Sequence, residues 1–293
     1  IIRILRHQKK YDVMLEQLEN LTKRRNQMKQ VQSGMVTEAG LVIDDESIPQ
    51  ELRTEVLTRL AHVTEGKIHI ELEHARFSVL LAKIAEDDGR NKEASDMLVA
   101  LQVETITNMP RLEKLAILIN QLQLALRIGD PHLVQVTSRK INYRAISKDD
   151  TKDIKATYFN LMLQHFASKN EYLVMARCWH ELYLTEGDED KKLQHLSNVV
   201  ALVLIAPHQS KKDVEDVAEC AAFSPKSNQT SRNDWLKDLE ANKRVEAELA
   251  SLHELVKEFN TVELVRIKLE RACQQICSHH PLLVEFPARQ QEL

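Results

Sequence analysis

An all-α fold, built as a solenoid of helix-turn-helix repeats, is what this sequence predicts, and three observations predict it. Turn-forming and aromatic residues are scarce: 6 Gly and 7 Pro in 293 residues fall well below the usual roughly 7% and 5%, and aromatics make up 4%. Apolar residues recur at i, i+3, i+4 and i+7, which lines one face of an α-helix, and no period-two run bounded by Asn-Gly or Asp-Gly turns competes. Short breaks with helix-end chemistry return near residues 9, 49, 89, 129, 169 and 208, an interval of about 40 that falls in the range of two-helix repeats. A helix pair of that size cannot bury its apolar stripes alone, so successive pairs must stack, leaving a long surface of the kind that binds other proteins.

The elements follow in chain order. Ser47-Ile48-Pro49-Gln50 opens a helix, whereas Gly34, Gly40 and Asp44-Asp45-Glu46 blur the helix ends across residues 31–48. Phe77, Leu80, Leu81 and Ile84 form one buried stripe, closed by Asp88-Gly89, and Ala94, Met97, Leu98 and Leu101 form the next. In Gly129-Asp130-Pro131 the Gly suits the left-handed position after a helix, the Asp an N-cap and the Pro a first turn, so one helix stops and another starts within three residues. Phe159, Met162, Leu163 and Phe166 make a third stripe. Ser168-Lys169-Asn170-Glu171 then has capping-box spacing, and Tyr172, Met175, Ala176 and Trp179 make a fourth stripe. Ser224 to Asn233 is polar and breaker-rich and reads as a loop, followed by a long charged helix from about Asp234 to Cys277 and an irregular tail after His279 with Pro281 and Pro287.

Length allows two packed units or one elongated array. A net charge of −4, with 29% charged and 43% hydrophobic residues, is ordinary for a soluble globular chain and disfavours the disordered, collagen and membrane classes. The longest apolar run, Val199 to Pro207, is half the roughly 18 residues that cross a bilayer. The chain opens on Ile1 without a basic leader, which reads as a fragment of a longer protein. Four cysteines are too few for a disulfide framework in a chain of this length, which suits the cytoplasm or nucleus; on the same ground the sequon Asn228-Gln229-Thr230 reads as polar loop.

Catalytic and cofactor motifs fail one after another. Gly66-Lys67 resembles the end of a phosphate-binding loop, but Ala61 occupies the first glycine position and Ile68 the hydroxyl position. His180-Glu181 begins a zinc-protease pattern whose second ligand position is Leu184. Glu71-Leu72-Glu73-His74 has the half-motif of di-iron bundles without a second copy. Cys178 beside Trp179 and His180 lacks the local signature of a thiol nucleophile. Cys273 and Cys277, with His279 and His280 beyond, are the best metal candidates, and a metal-dependent enzyme using them is the rival of a different class, yet structural zinc sites prefer a two-residue spacer between thiolates. The expectation is therefore no catalytic residue, no cofactor and no metal. Lys23-Arg24-Arg25, followed by Lys29, is the compact basic cluster and the candidate contact surface for a protein partner; in a net acidic chain without an extended basic stripe it does not point to nucleic acid.

One set of strings carries a resemblance. Val63-Thr64-Glu65-Gly66-Lys67-Ile68, then Glu71-Leu72-Glu73-His74-Ala75-Arg76, Lys92-Glu93-Ala94 and Leu101-Gln102-Val103-Glu104-Thr105 closely resemble the family of the proteasome regulatory particle's non-ATPase subunit twelve, the fifth non-ATPase subunit in yeast nomenclature. Leu21 to Gln30, Lys140-Ile141-Asn142, Tyr158 to Met162, Val199 to Pro207 and Phe259 to Leu264 keep the family's order, so the likeness covers most of residues 9–266. The resemblance implies a right-handed arm of TPR-like helical repeats over residues 1–170, leading into the helical part of a PCI domain over 171–293. It also implies a non-catalytic scaffold subunit of the 26S proteasome lid in ubiquitin-dependent protein degradation. Its partners would be other lid PCI subunits, the ATPase base and the core particle, in a hetero-oligomer with no nucleic acid or membrane. The family's winged helix and final bundle helix are not represented, residues 224–250 read as an insertion, and the COP9 signalosome paralogue shares the architecture.

Overall fold

The computed structural model describes residues 1–24, 27–43, 48–206, 223 and 231–260. Among these residues every regular element is helical, and the chain divides into two compact units, Ile1–Gly129 and Asp130–Leu293. That division falls at a repeat boundary, one repeat before residue 170.

The first unit comprises α1 (Ile2–His7), α2 (Tyr11–Lys23), α3 (Lys29–Gly40), α4 (Gln50–Thr64), α5 (Glu71–Asp87), α6 (Asn91–Ala100) and α7 (Arg111–Ile128). The region whose helix ends are blurred in sequence is crossed by α3, which runs through Gly34 to Gly40; a Cβ at Gly40 would come 3.2 Å from the Phe77 ring, so glycine there permits the close approach of α3 to α5. Ser47 lies outside the described residues, and α4 starts at Gln50 behind an extended Pro49.

Helix α5 is buried on two distinct faces. Phe77, with Leu81 and Ile84 partly buried beside it, joins a core made by Met14, Leu15 and Leu18 of α2, Val36 of α3 and Leu57 and Leu60 of α4. Ala75, Ser78, Ala82 and Ala85 are all buried on the other face, where Ala94 and Leu98 of α6 and Ile117 and Leu124 of α7 continue a second core. At 100° per residue, the one-residue offset of Ser78, Ala82 and Ala85 from Phe77, Leu81 and Ile84 turns the second stripe by about a quarter to a third of the helix circumference. The single stripe expected from sequence is thus corrected: Leu80 is 38% exposed, and the deeper contact uses small side chains, because α5 serves as the wall between two layers.

Polar ties across this unit span nearly one repeat. Arg59 of α4 donates to Glu19 of α2 at 3.3 Å, and Ser33 of α3 to Glu73 of α5 at 3.1 Å. Arg76 of α5 grips Glu113 of α7 through two bonds of 2.8 and 2.9 Å, and Arg127 of α7 pairs with Glu86 of α5. The partners are 40, 40, 37 and 41 residues apart, so equivalent helices of successive pairs lie side by side, as the interval of breaks predicts.

The second unit contains α8 (Pro131–Lys140), α9 (Tyr143–Ile146), α10 (Lys152–Lys169), α11 (Tyr172–Thr185), α12 (Glu189–Ile205), α13 (Arg232–Glu240), α14 (Lys243–Glu248) and α15 (Ala250–Asn260). Phe159, Met162, Leu163 and Phe166 are buried as expected, and α11 is buried nearly all round between α10 and α12. The apolar run Val199–Ile205 is the interior end of α12, and no described helix is long and apolar enough to cross a membrane. Arg232 closes that end by donating to the carbonyls of Val203 (3.0 Å) and Leu204 (2.7 Å), two of the groups a helix C-terminus leaves without partners.

Three expectations are corrected here. Ser168 makes no capping box: its hydroxyl donates within α10 to the His165 carbonyl, and the break is made by Asn170 in the left-handed conformation at φ 58°. The loop ends sooner than Asn233, because Ser231 caps α13 in a true capping box with Asp234. The long helix from Asp234 is broken twice, at Asn242, whose side chain accepts from Arg244 N, and at Leu249, where ψ of 47° leaves helical space. Residues 261–277, the tail, and the sequon at Asn228 lie outside the described residues.

At Gly129 the sequence reading holds in full. Gly129 sits at φ 77°, and the Asp130 carboxylate accepts from the backbone N–H groups of His132 and Leu133 ahead of Pro131. Gly129→Ala meets no neighbouring atom, so its cost of about 1 kcal/mol is conformational; Asp130→Ala is expected to cost about 1 kcal/mol through the lost cap. Urea denaturation should show both losses with unchanged helicity.

His165, 4% exposed and edge-on to Phe166 at 5.4 Å, has its imidazole pushed down to about 4, first by burial and then by the Lys169 charge. Burial also lowers His180 and His195. The unfolded chain takes up these protons near pH 6.5 and the folded chain does not, so stability present above pH 6.5 falls progressively towards pH 4. Urea midpoints measured from pH 7 to 5 should fall, with a shallower slope in His165→Leu.

Candidate protein-binding surface

The basic cluster singled out in sequence lies where α2 ends. Lys23 is the last residue of α2, Arg24 leaves it in extended conformation, and α3 restarts at Lys29 behind an extended Met28. Lys23, Arg24, Met28 and Lys29 are exposed, and Arg25 lies outside the described residues. Buried Gln32 holds this corner: its Nε2 donates to the Thr22 carbonyl at 3.5 Å, and its Oε1 accepts from His69 Nε2. His69 belongs to a single 3-10 turn, Ile68–Ile70, that leads into α5.

That bridge brings a second segment to the cluster. Gly66, at φ 72°, turns the chain at the end of α4. Lys67 follows, its ammonium donating back to the Val63 carbonyl. Burial, and then the positive charge of Lys23, holds the Lys67 ammonium below its ordinary value. Next comes Ile68, whose side chain is 88% exposed. Among the described residues, no carboxylate stands within ion-pair distance of Lys23, Arg24, Lys29 or Lys67. Sequence reasoning found Lys23 and Arg24 as adjacent cations. It missed Lys67, Ile68 and Met28, because sequence gives no sign that residue 68 faces outward while Ile70, two positions on, is fully buried.

The chemical motifs resolve into structural roles. Gly66-Lys67 is a helix ending, with the Lys67 ammonium donating one hydrogen bond to the Val63 carbonyl, and the glycines a phosphate loop needs are not there. His74 Nδ1 donates to the Ala61 carbonyl at 3.1 Å and meets Thr64 Oγ1 at 3.0 Å, so it ties α5 to α4. Glu181 is 3% exposed and pairs with Lys155 at 2.8 Å in the interior, while Leu184 is 59% exposed on the same helix. Cys178 is a buried thiol. Among the described residues no three His, Cys, Asp or Glu side chains gather as a metal set; Cys273, Cys277, His279 and His280 lie outside them.

Stacked helix pairs, with polar groups engaged at helix ends and between helices, define an all-α helical-repeat protein. Residues 1–190 match the family model described as PSMD12/CSN4, N-terminal, and the chain belongs to that family. Among curated relatives it is 30% identical over 234 residues to the 26S proteasome non-ATPase regulatory subunit 12 homolog B of Arabidopsis thaliana, covering 71% of this chain and 53% of that protein. It is 30% identical over 215 residues to the 26S proteasome non-ATPase regulatory subunit 12 of Dictyostelium discoideum, covering 72% and 48%. It is also 29% identical over 270 residues to the 26S proteasome regulatory subunit RPN5 of Saccharomyces cerevisiae, covering 91% and 56%. The chain therefore spans about half the length of the curated relatives it matches. These relatives are named as regulatory subunits of the 26S proteasome.

The interior pair gives a direct test of its structural role. Glu181→Gln removes the carboxylate facing the Lys155 ammonium, whose side chain is 12% exposed, and is expected to cost about 3 kcal/mol because a buried charge loses its partner. Glu65→Gln, whose side chain is 71% exposed beside His62, should leave the denaturation midpoint unchanged.

Proposed function

We propose that this chain is the helical-repeat portion of a non-catalytic scaffold subunit of the 26S proteasome regulatory particle lid, acting in ubiquitin-dependent protein degradation. The observation that carries the reading is the family match over residues 1–190, joined to relatives in a plant, an amoeba and a yeast that are all named as 26S proteasome subunits. The fold is in keeping with it, since stacked helix pairs of this kind present exposed surface to protein partners.

In this reading residues 1–170 form the arm and residues 171–293 enter the helical part of a PCI domain. Lys23, Arg24 and Arg25 are contact residues, and the partners are other lid PCI subunits, the ATPase base and the core particle, in a hetero-oligomer of the cytoplasm and nucleus. The family description also names CSN4, so the paralogous signalosome defines the opposing outcome.

Affinity purification of the tagged full-length protein from its native cells, with mass spectrometry and a degradation assay on ubiquitinated substrate, is expected to recover lid, ATPase-base and core-particle subunits together with that activity. Recovery of signalosome subunits with deneddylating activity, or of no assembly, would overturn the assignment.

A further inference from the structure

We propose that the corner formed by Lys23, Arg24, Met28, Lys29, Lys67 and Ile68 is a docking site for a short acidic protein segment that carries a large apolar side chain between its carboxylates. The proposal deepens the scaffold reading and rests on it, since it assigns a partner chemistry to the surface on which that reading places its contacts.

Two observations converge. The first is apolar exposure that the fold does not require. Ile68 at 88% is the most exposed large apolar side chain among the described residues, and Met28 is 68% and Val31 41% exposed. The Gln32 bridge draws these residues together. Met28 lies one helical turn before Gln32, its carbonyl accepting from Gln32 N at 3.2 Å, Val31 is the preceding residue, and Ile68 is next to His69, which donates to the Gln32 side chain. The backbone of the corner is held by these bonds, so the ordering cost on binding falls on the exposed side chains alone.

The second observation is charge. Lys23, Arg24, Lys29 and Lys67 flank these apolar residues along the two segments that Gln32 bridges, without an anionic partner among the described residues, although the whole chain carries a net charge of −4. Elsewhere in the same unit Arg59, Arg76, Arg90 and Arg127 are each matched with a carboxylate, whereas Arg24 is not; lysines without a carboxylate partner occur elsewhere too, and what distinguishes this corner is that such cations adjoin Met28 and Ile68, both exposed. Lys23 and Lys67 also repel one another, a penalty that an incoming carboxylate relieves. Acidic groups supply the charge complement, and an apolar side chain between them covers Ile68 and Met28. The six residues include no aromatic platform of the kind on which the bases of a single-stranded nucleic acid stack, which favours a protein segment.

The test uses the full chain and three fluorescent probes: a nine-residue peptide with acidic residues on either side of a Leu-Phe pair, the same pair flanked by lysines, and an oligouridylate of nine nucleotides. Fluorescence anisotropy should show the acidic peptide binding at least tenfold more tightly than the basic one and weakening as salt rises. Ile68→Ser and the double variant Lys23→Glu/Arg24→Glu should each weaken it about tenfold, with circular dichroism and thermal midpoint unchanged, while Leu184→Ser, an exposed apolar change in the other unit, has no effect. Equal binding of the two peptides, insensitivity to the corner variants, or tighter binding of the oligouridylate overturns the proposal. Purification of the same variants from cells separates the two readings. Wild-type protein that assembles with proteasome subunits but ignores the acidic peptide sinks the docking site alone, and peptide binding by a chain that joins no assembly sinks the scaffold assignment alone.

Discussion

Everything in the first unit depends on one constraint: a helix in a stacked array has neighbours on both sides and must be apolar towards each. Helix α5 shows how this is met. Large side chains led by Phe77 join the core of the earlier pairs, while Ala75, Ala82 and Ala85, with Ser78 buried beside them, turn to the core shared with the following helices. The Arg–Glu ties then fix register between pairs, and because they lie at the surface they act on alignment more than on total stability. The apolar faces supply the stability, and the ties choose among ways of sliding one pair along the next.

Helix ends are the second recurring device. Lys9, Gly89, Gly129 and Asn170 all adopt the left-handed conformation, at φ values of 56°, 79°, 77° and 58°, and they stand near four of the breaks that define the repeat. Glycine accepts that conformation without strain and asparagine tolerates it. A helix stops there, and the next begins two residues on. In the second unit a different solution closes the most apolar helix: Arg232 reaches its last carbonyls from across a segment of chain, so a charged side chain far away in sequence performs the task that a neighbouring residue performs elsewhere.

How much of this was legible in sequence follows from whether the signal is local. Gly129-Asp130-Pro131 carries its own conformational and hydrogen-bonding requirements, so its role could be read residue by residue. Phe159, Met162, Leu163 and Phe166 have one strong stripe and were read correctly. The Ala-Ser stripe of α5 was not, because small residues weigh little in an apolar pattern and their burial is decided by what packs on them. Ser168 has the right spacing for a cap, yet Asn170 ends the helix first, two residues on. The breaks at Asn242 and Leu249 interrupt a run with good helical composition throughout. At the surface, Lys23 and Arg24 announced themselves as adjacent cations, whereas Lys67 and Ile68 join them only through the side chain of Gln32.

The near-constant spacing of the polar ties bears on where this chain can change length. Partners stand 35, 37, 40 and 41 residues apart at Arg3–Glu38, Arg76–Glu113, Glu19–Arg59 and Glu86–Arg127, a variation of a few residues that the connectors between helices absorb. A residue added within α4 or α5 would rotate everything after it by about 100°, turning the Phe77 face and the alanine face away from their layers together. A residue added between helices would leave each face where it is. The fold thus confines insertions and deletions to the connectors at the ends of the stacked pairs, and evolution can lengthen the rim of this surface without disturbing the layers beneath it.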